Sequence, residues 1–559
     1  MYNLIHHTMR KITFYLVAIT LLIMAAFVQR ASACTNVLVS RGASADGSVM
    51  ISYLADAGGL MDPLHFYPGG EYPEGDSLEI FSWHTGQSLG KIHQIRRTYR
   101  VIGNMNEHQV AIGETTFTGR SELHDPNGIM DYGNLMYITL QRARTAREAI
   151  EIMTGLANTY GYKRTGESFS IADKNEAWVM DFIGKGSHGE GAVWVAARVP
   201  EGYISAHANQ ARIRQVDWND TENWMWAEDV VDFARHMGWF DGPKEEFSFV
   251  DAYNPVDPVS LLLCEGRVWS VFRRAAPSMN LSSDYWRCVE GAEPYPLFIK
   301  PDRKITVQDM IGLVRDHFHD SPFYTGEGLA AGPYNNPYRW RPIFFTLDDD
   351  EEEVEYAFER TISQPQTGFS FISQSRNWLP DPIGGIFWYG VDDTYSNAYM
   401  PLYMGMTEPP VSLITGSIYE FDWNSAFWVF NLVANYAYGL YSFIIEDIKV
   451  VQREVEDRAY ALTSAVDVAA KALYETDKEL MATYLTDFSV NNAEYTVERW
   501  RDLGYYIFAK YNDRYIRTST EFRPWPEGVG YPQDHLRRLV DERPGYYDVR
   551  WRKPGEPIY

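Results

Sequence analysis

One cysteine, Cys34, lies between a leader-like segment and the first predicted strand, and this junction constrains the fold more than any other feature. The basic pair Arg10 and Lys11 precedes an uncharged apolar run over residues 12–28. The Ala-Ser-Ala motif at residues 31–33 is of the kind that is cleaved at the end of a secretory signal peptide. The sequence therefore predicts export to the periplasm or the extracellular space and a folded chain that begins at Cys34.

Two other interpretations of this segment stay open. The apolar run could remain as an uncleaved membrane anchor, although its length is at the short edge for spanning a bilayer. Cys34 could instead be lipidated and act as the tether of a ligand-binding lipoprotein. Lipoprotein signals usually carry Leu three residues before the cysteine, where this chain has Ala31, and residues 35–39 begin a strand instead of a polar tether. We therefore favour cleavage, with no stable membrane association afterwards.

The acidic composition excludes one class of partner. The chain has 559 residues, of which 45% are hydrophobic, so it can bury a large core. Its formal net charge is −25, and loss of Arg10, Lys11 and Arg30 with the leader takes this to −28. A surface this acidic repels phosphate backbones, so nucleic acid is not an expected partner.

The three cysteines, Cys34, Cys264 and Cys288, are too scattered for a thiolate zinc cluster. His317 and His319 do not make a convincing metal site either, and we predict neither a metal nor another cofactor. Cys264 and Cys288 could form a disulfide in an oxidising compartment, which would leave Cys34 as an odd thiol that needs a reason.

The hydrophobic pattern predicts a mixed α/β chain. The expected elements are a hairpin of residues 35–40 and 49–54 around Asp46-Gly47, a strand over 110–117, a hairpin over 169–182, a second hairpin over 193–206, strands within 369–387, a helix over 140–156, a core helix over 425–445, and two long helices within 424–486 that separate near Arg458.

Cleavage before Cys34 would supply the chemistry that a thiol nucleophile needs. A thiol reacts as its thiolate, so it requires a nearby base. The α-amino group released by cleavage has an ordinary pKa near 8, close to that of the thiol. One residue can then hold both the nucleophile and the general base, which explains a reactive cysteine placed directly after a cleavage site.

Several motifs in order resemble one family. They are Cys-Thr-Asn-Val-Leu-Val-Ser at residues 34–40, Asn-Glu at 106–107 with Gly-Glu-Thr-Thr at 113–116, Glu-Ser-Phe at 167–169, His-Ala-Asn-Gln-Ala-Arg-Ile at 207–213, Ser-Gln-Ser-Arg at 373–376 and Ile-Gly-Gly-Ile-Phe-Trp at 383–388. Together they resemble bacterial cysteine-type dipeptidases of the N-terminal nucleophile hydrolase class, which are related to bile-salt hydrolases and penicillin V acylases. The resemblance covers residues 34–410.

The resemblance implies a fold and a domain organisation. The implied fold is a four-layer αββα sandwich of the N-terminal nucleophile hydrolase type with an additional, largely helical C-terminal region. Residues 1–33 would be the cleaved signal peptide, residues 34–410 the catalytic domain, and residues 411–559 a mostly helical region packed on the same unit.

The resemblance also implies hydrolysis of dipeptides or short peptides through an acyl-enzyme. Cys34 would be the nucleophile, Asp56 would contact its amine, and Asn209 would donate to the oxyanion. The backbone N–H at Thr116 would be a second donor, and Arg267 would be the distal arginine of the site.

Four points stay open at this stage. Arg273 and Arg274 are rivals for the role of Arg267, and Arg267 could instead pair with Glu265 on the surface. The superfamily often carries an arginine where this chain has Tyr53, so this chain departs from the family pattern at that position. An amidase acting on N-acyl amino acids is an alternative of the same chemistry. The oligomeric state is not predicted.

Glu114 is singled out by its surroundings. It stands on a predicted strand between apolar residues, and a buried carboxylate needs a partner. It is therefore either salt-bridged or, as we predict, part of the substrate-binding site, where it recognises a cationic group.

Overall fold

Two antiparallel sheets organise the described residues of the computed structural model, which are 33–83, 85–347, 355–517, 527–544 and 546–547. The predicted signal peptide lies outside the described residues except for Ala33. The strands of the two sheets, in chain order, are β1 Ala33–Val39, β2 Val49–Asp56, β3 Phe66–Tyr67, β4 Val101–Ile102, β5 Met105–Asn106, β6 Ala111–Phe117, β7 Gly166–Ala172, β8 Ala177–Gly184, β9 Ala192–Arg198, β10 Ile204–His207, β11 Trp224–Trp226, β12 Thr367–Ser375, β13 Gly385–Val391 and β14 Met400–Tyr403.

The first sheet has the strand order β10-β1-β2-β12-β13-β14, and the second has β11-β9-β8-β7-β6-β5-β4-β3. Four short two-stranded ribbons lie outside them, formed by Gly70–Glu71 with Arg97–Thr98, Ser77–Phe81 with Ser88–His93, Phe344–Phe345 with Tyr356–Ala357, and Tyr515–Ile516 with Glu527–Gly528.

The helices of the described residues cover the sheets and extend beyond them. In chain order they are α1 Tyr132–Leu140, α2 Ala146–Tyr160, α3 Val230–His236, α4 Phe249–Tyr253, α5 Pro258–Ser260, α6 Gly266–Ala275, α7 Val307–Val314, α8 Asp381–Gly384, α9 Val411–Ile414, α10 Ala426–Ala437, α11 Tyr441–Thr476, α12 Lys478–Tyr511 and α13 Gln533–Glu542. A π-helical turn, Leu261–Glu265, leads directly into α6.

The β1–β2 hairpin fixes the position of Cys34. Gly47 adopts a φ of +83°, which a residue without a side chain tolerates, and the Asp46 carboxylate accepts a 3.0 Å hydrogen bond from the Ser48 backbone. The resulting register pairs Cys34 with Ala55, and Ala33 with Asp56. The hairpin that the Asp-Gly turn predicts is confirmed, and it brings the start of the first strand to the end of the second.

Apolar side chains pack on both faces of each main sheet. One core lies between the sheets, where Leu38 and Ile51 of the first meet Ala111 and Val179 of the second. A second core joins the outer face of the eight-stranded sheet to α1 and α2, and a third joins the outer face of the six-stranded sheet to α6 and α7. Each sheet therefore has one face on the other sheet and one face on helices.

The long helices α11 and α12 pack against each other and, with α10, against the β13–β14 edge of the six-stranded sheet. The helix break predicted near Arg458 is wrong, because α11 continues through it and the guanidinium donates to the Asn492 side chain on α12 at 2.9 Å. The break lies at Asp477, whose carboxylate caps the first turn of α12. The core helix predicted over 425–445 is likewise two helices, α10 and the start of α11.

Two further predictions are corrected by the structure. The helix predicted over residues 140–156 is divided between α1 and α2, because Thr145 caps the second helix through its hydroxyl. The second predicted hairpin is wrong, since β9 and β10 belong to different sheets. Their alternating pattern indicates strands in a sheet, but it does not indicate which strand is the neighbour of which. The strand over 110–117, the hairpin over 169–182 and the strands within 369–387 are confirmed as β6, β7–β8 and β12–β13.

None of the helices among the described residues combines the length and the apolar character that a transmembrane span requires.

Candidate active site

The Cys34 sulfur lies in a buried, acidic environment at the start of β1. The residue is 1% exposed, and its Sγ lies 3.6 Å from Glu114 Oε1 and 3.9 Å from Tyr53 Oη. Tyr53 in turn donates a 2.7 Å hydrogen bond to the same Glu114 oxygen. Tyr53 occupies the position at which the superfamily often carries an arginine. On this side the sulfur therefore faces a hydroxyl and a carboxylate.

The main chain of Cys34 is held by Asn209 and Arg267. The Cys34 backbone N–H donates to Asn209 Oδ1 at 2.9 Å, and Arg267 Nη2 donates to the same oxygen at 2.9 Å. Arg267 Nη1 donates to the Cys34 carbonyl at 2.7 Å and to the Thr35 hydroxyl at 2.8 Å. The guanidinium therefore fixes both the residue and the side chain that receives its N–H.

Arg267 reaches this position from the first turn of α6, directly after the π-helical turn. Its Nε donates to the carbonyl of Leu263 within that turn, at 2.8 Å, and π-helical turns often occur at functional sites. Burial and the neighbouring Arg360 lower the pKa of Arg267 to about 10, so the group remains a cation at neutral pH.

Asp56 lies at the end of β2, opposite Ala33. Its carboxylate accepts a 2.7 Å hydrogen bond from the Thr367 hydroxyl and forms a 3.3 Å ion pair with Arg360 Nη2. Its backbone N–H donates toward the Cys34 sulfur. Burial raises the pKa of Asp56 to about 6, although Arg360, Thr367 and Arg267 oppose the shift.

Asn209 lies two residues after the end of β10 and adopts the left-handed region, with a φ of +61°. Asparagine tolerates this conformation better than most residues. Its Nδ2 donates to the Thr116 carbonyl at 2.7 Å. An amide nitrogen carries two hydrogens, so this bond orients the side chain and leaves a second N–H for another acceptor.

A second buried carboxyl, Glu167, accompanies Glu114. Thr116 and Glu167 are opposite each other in the β6–β7 register, and the two glutamate side chains contact each other. The Thr116 hydroxyl donates to Glu114 Oε2 at 3.3 Å, and the Tyr162 hydroxyl donates to Glu167 Oε1 at 3.1 Å. Burial raises the pKa of both carboxyls, and the charge of Glu114 raises that of Glu167 further. The pair therefore retains a proton more readily than an ordinary glutamate does.

The same surroundings keep the thiol protonated while Cys34 is joined to Ala33. Burial raises the pKa of the Cys34 thiol, and the charges of Glu114 and Asp56 add to this effect. The hydrogen bonds from the Asp56 backbone and from Tyr53 oppose it. Because the nitrogen of Cys34 is an amide at this stage, it offers no base to remove the proton.

The structure brings the candidates together and separates them from their rivals. One connected cluster contains all six predicted site residues, which are Cys34, Asp56, Thr116, Asn209, Arg267 and Glu114. The rival Arg273 donates to the His319 carbonyl, and Arg274 pairs with Asp316 at 3.2 Å. The surface pair of Arg267 with Glu265 is wrong, because Glu265 is buried and pairs with Arg212 at 3.2 Å.

All three cysteines are free thiols, so the disulfide that the sequence allows between Cys264 and Cys288 is not formed.

Two residues of the site, Glu167 and Arg360, were not predicted from the sequence. Glu167 belongs to the Glu-Ser-Phe motif and lies on a strand that is buried along its whole length. The predicted hairpin begins only at residue 169, so no sequence pattern placed Glu167 on a buried strand. Arg360 belongs to no predicted element, so only the fold reveals its contact with Asp56.

The fold and the site define a mixed α/β protein with a buried thiol. Two carboxyls in contact with each other lie beside this thiol, and an arginine holds its main chain. The chain belongs to peptidase family C69, whose family model matches residues 70–454. This range includes Glu114, Asn209 and Arg267 but not Cys34 and Asp56.

Relatives in three bacteria carry dipeptidase names. The chain is 28% identical to a probable dipeptidase of Salmonella dublin over 412 residues, which cover 70% of this chain and 84% of that protein. It is 26% identical to a probable dipeptidase of Latilactobacillus sakei over 377 residues, covering 64% and 71%. It is 24% identical to dipeptidase A of Lactobacillus helveticus over 470 residues, covering 80% and 88%.

Proposed function

We propose that the chain is an exported dipeptidase that hydrolyses dipeptides or short peptides through an acyl-enzyme on Cys34. The observation that carries this proposal is the convergence of Asp56, Asn209 and Arg267 on the main chain and sulfur of Cys34. The membership in a peptidase family and the dipeptidase names of the relatives support the substrate class. The layer order of helices, two sheets and helices supports an N-terminal nucleophile hydrolase sandwich.

Removal of residues 1–33 precedes the reaction and converts the amide nitrogen of Cys34 into an amine. Asn209 Oδ1 already accepts the N–H of this nitrogen, so it can orient the amine. The amine takes the thiol proton, and the thiolate attacks the carbonyl carbon of the scissile bond. Asp56 stabilises the ammonium that forms, because Asp56 is paired in the strand register with Ala33, the residue that has left.

Charge then develops on the substrate carbonyl oxygen. The second N–H of Asn209 Nδ2 and the backbone N–H of Thr116 stabilise that oxyanion. The ammonium of Cys34 returns its proton to the leaving amine as the C–N bond breaks, which leaves a thioester. A water molecule, deprotonated by the same amine, hydrolyses the thioester and restores the thiol.

The test uses the purified exported protein and a chain that retains residues 1–33. The exported protein should hydrolyse dipeptides, and the longer chain should be inactive because its nitrogen is an amide and its thiol is buried. Product analysis on dipeptides and on N-acyl amino acids separates a dipeptidase from an amidase. An intact mass that includes acyl chains on Cys34 would support a lipoprotein and contradict the proposal.

A further inference from the structure

The buried carboxyl pair beside the sulfur has a charge that the described protein does not neutralise. Glu114 is 1% exposed and Glu167 is fully buried, and none of the ion pairs between described residues involves either of them. Glu167 Oε2 is buried and accepts no hydrogen bond from a described donor. Burying carboxylates without a cation is unfavourable, so a cationic partner from outside would stabilise the pair.

The position of the pair relative to the sulfur defines which atom of a substrate reaches it. In an aminoacyl thioester on Cys34, three bonds separate the sulfur from the α-nitrogen: one C–S bond, and the Cα–C and N–Cα bonds of about 1.5 Å each. Glu114 Oε1 lies 3.6 Å from Sγ, so it is within hydrogen-bonding reach of that nitrogen. The nitrogen of Cys34 itself has another partner, Asn209 Oδ1, to which its N–H donates at 2.9 Å.

We propose that Glu114 and Glu167 together bind the α-ammonium group of the substrate, so that the bond presented to Cys34 is the first peptide bond. This inference rests on the proposed hydrolysis at Cys34 and deepens it. It assigns the preference for peptides over N-acyl amino acids to two residues. Glu167 is the specificity-determining partner that does not touch the sulfur.

The charge balance of the pair suits one ammonium group. The two side chains contact each other, and the charge of Glu114 raises the pKa of Glu167. A pair that holds one proton carries about one negative charge, which matches one cation. The hydroxyls of Tyr162 and Thr116 supply the remaining hydrogen bonds.

The experiment compares alanyl-leucine with propionyl-leucine, which has the same shape but carries hydrogen in place of the ammonium group. The mature wild-type protein, the Glu167→Gln variant and the surface variant Glu151→Gln are assayed with both substrates. Hydrogen bonds to charged groups correspond to about 10–100-fold in binding. We expect wild type to prefer alanyl-leucine in kcat/KM by at least this factor.

Glu167→Gln should lower kcat/KM for alanyl-leucine about 10–100-fold and change the value for propionyl-leucine less than about threefold. Glu151→Gln, which removes the same charge from the exposed face of α2, should match wild type with both substrates. An equal loss with both substrates in Glu167→Gln, or no loss with either, would overturn the inference.

The failure of this inference differs from the failure of the proposed function. If wild type hydrolyses both substrates equally well and Cys34→Ala hydrolyses neither, the hydrolase stands and the ammonium site is wrong. If Cys34→Ala retains hydrolysis, or wild type hydrolyses neither substrate, the proposed function itself fails and this inference with it. If Glu167→Gln does not fold, a wild type without a preference for alanyl-leucine would still overturn the inference.

Discussion

The two sides of Cys34 bury acids in opposite ways. On the amine side, Asp56 is paired with Arg360 and lies close to Arg267. On the sulfur side, Glu114 and Glu167 contact each other and a ring of hydroxyls, without an ion pair to a described residue. The first carboxylate has cationic partners among the described residues, whereas the second pair gains from a cation that the substrate brings.

This difference separates the tasks of the site. A carboxylate held by arginines keeps its position and can orient the amine of Cys34. A carboxyl pair without such cations responds to what the substrate brings.

Replacing the sulfur that lies between the two sides should have the largest effect. Cys34→Ala should abolish hydrolysis, by about 10⁴-fold or more, because it removes the nucleophile. Iodoacetamide should inactivate the mature wild type by labelling Cys34. Cys288→Ala, which removes an exposed thiol, is the matched control and should keep full activity. Full activity in Cys34→Ala would refute the mechanism.

Asn209 belongs to the amine side, and its loss should come next. Asn209→Ala should lower kcat about 10²–10³-fold with little change in KM, because an oxyanion donor acts mainly in the transition state. Asn209→Asp should be at least as damaging, since a carboxylate repels the developing charge. Melting temperatures on the same preparations give the control. A lower Tm with unchanged kcat would instead make Asn209 a structural residue.

Asp56→Asn should lower kcat about 10–100-fold, because the ammonium of Cys34 loses its counter-charge. In the wild type, activity should fall as the pH falls through about 6 or somewhat lower, because the ammonium favours the carboxylate. The variant should lose this acid limb of the kcat profile. An unchanged limb would show that another group titrates.

The stability of the chain in which Ala33 and Cys34 remain joined should respond to pH in the opposite sense. The folded pKa of Asp56, about 6, is above the unfolded value of about 3.9. Its contribution to stability is therefore fully present below pH 4 and is lost as the pH rises through about 6. Relative to Asp56→Asn, the free energy of unfolding of wild type should fall by about 2–3 kcal/mol between pH 4 and pH 7. Equal pH dependence of the two proteins would contradict this.

Tyr53→Phe should have the smallest effect of the series. It removes one hydrogen bond to Glu114 and one hydroxyl near the sulfur but keeps the packing of the ring. We expect a loss of about tenfold or less, because Glu114 keeps its contacts with the Thr116 hydroxyl and with Glu167. The measurement is kcat on alanyl-leucine. A loss of about 10³-fold would instead identify Tyr53 as the group that takes over from the superfamily arginine.

The sequence predicted the part of the site that local patterns encode. The Asp46-Gly47 turn and the strand after Cys34 were sufficient to place this residue in a hairpin. The buried strand acid Glu114 was identified from its apolar neighbours. The roles of Asn209 and Arg267 came from the family resemblance, and the structure places both against Cys34.

Long-range pairing was not encoded in the same way. A period of two residues shows that β9 and β10 are strands but does not show that they lie in different sheets. The contact of Arg360 with Asp56 joins residues 304 positions apart, and no local pattern connects them. The same holds for Glu167, whose importance depends on its contact with Glu114.

The most direct test is the identity of the first residue of the active exported protein, determined by Edman degradation and intact mass. We expect Cys34 with a free amine and a free thiol, and we expect molecules that retain Ala33 to be inactive. An active protein that begins at any other residue, or that carries an acyl group on the Cys34 nitrogen, would contradict hydrolysis by an N-terminal Cys34.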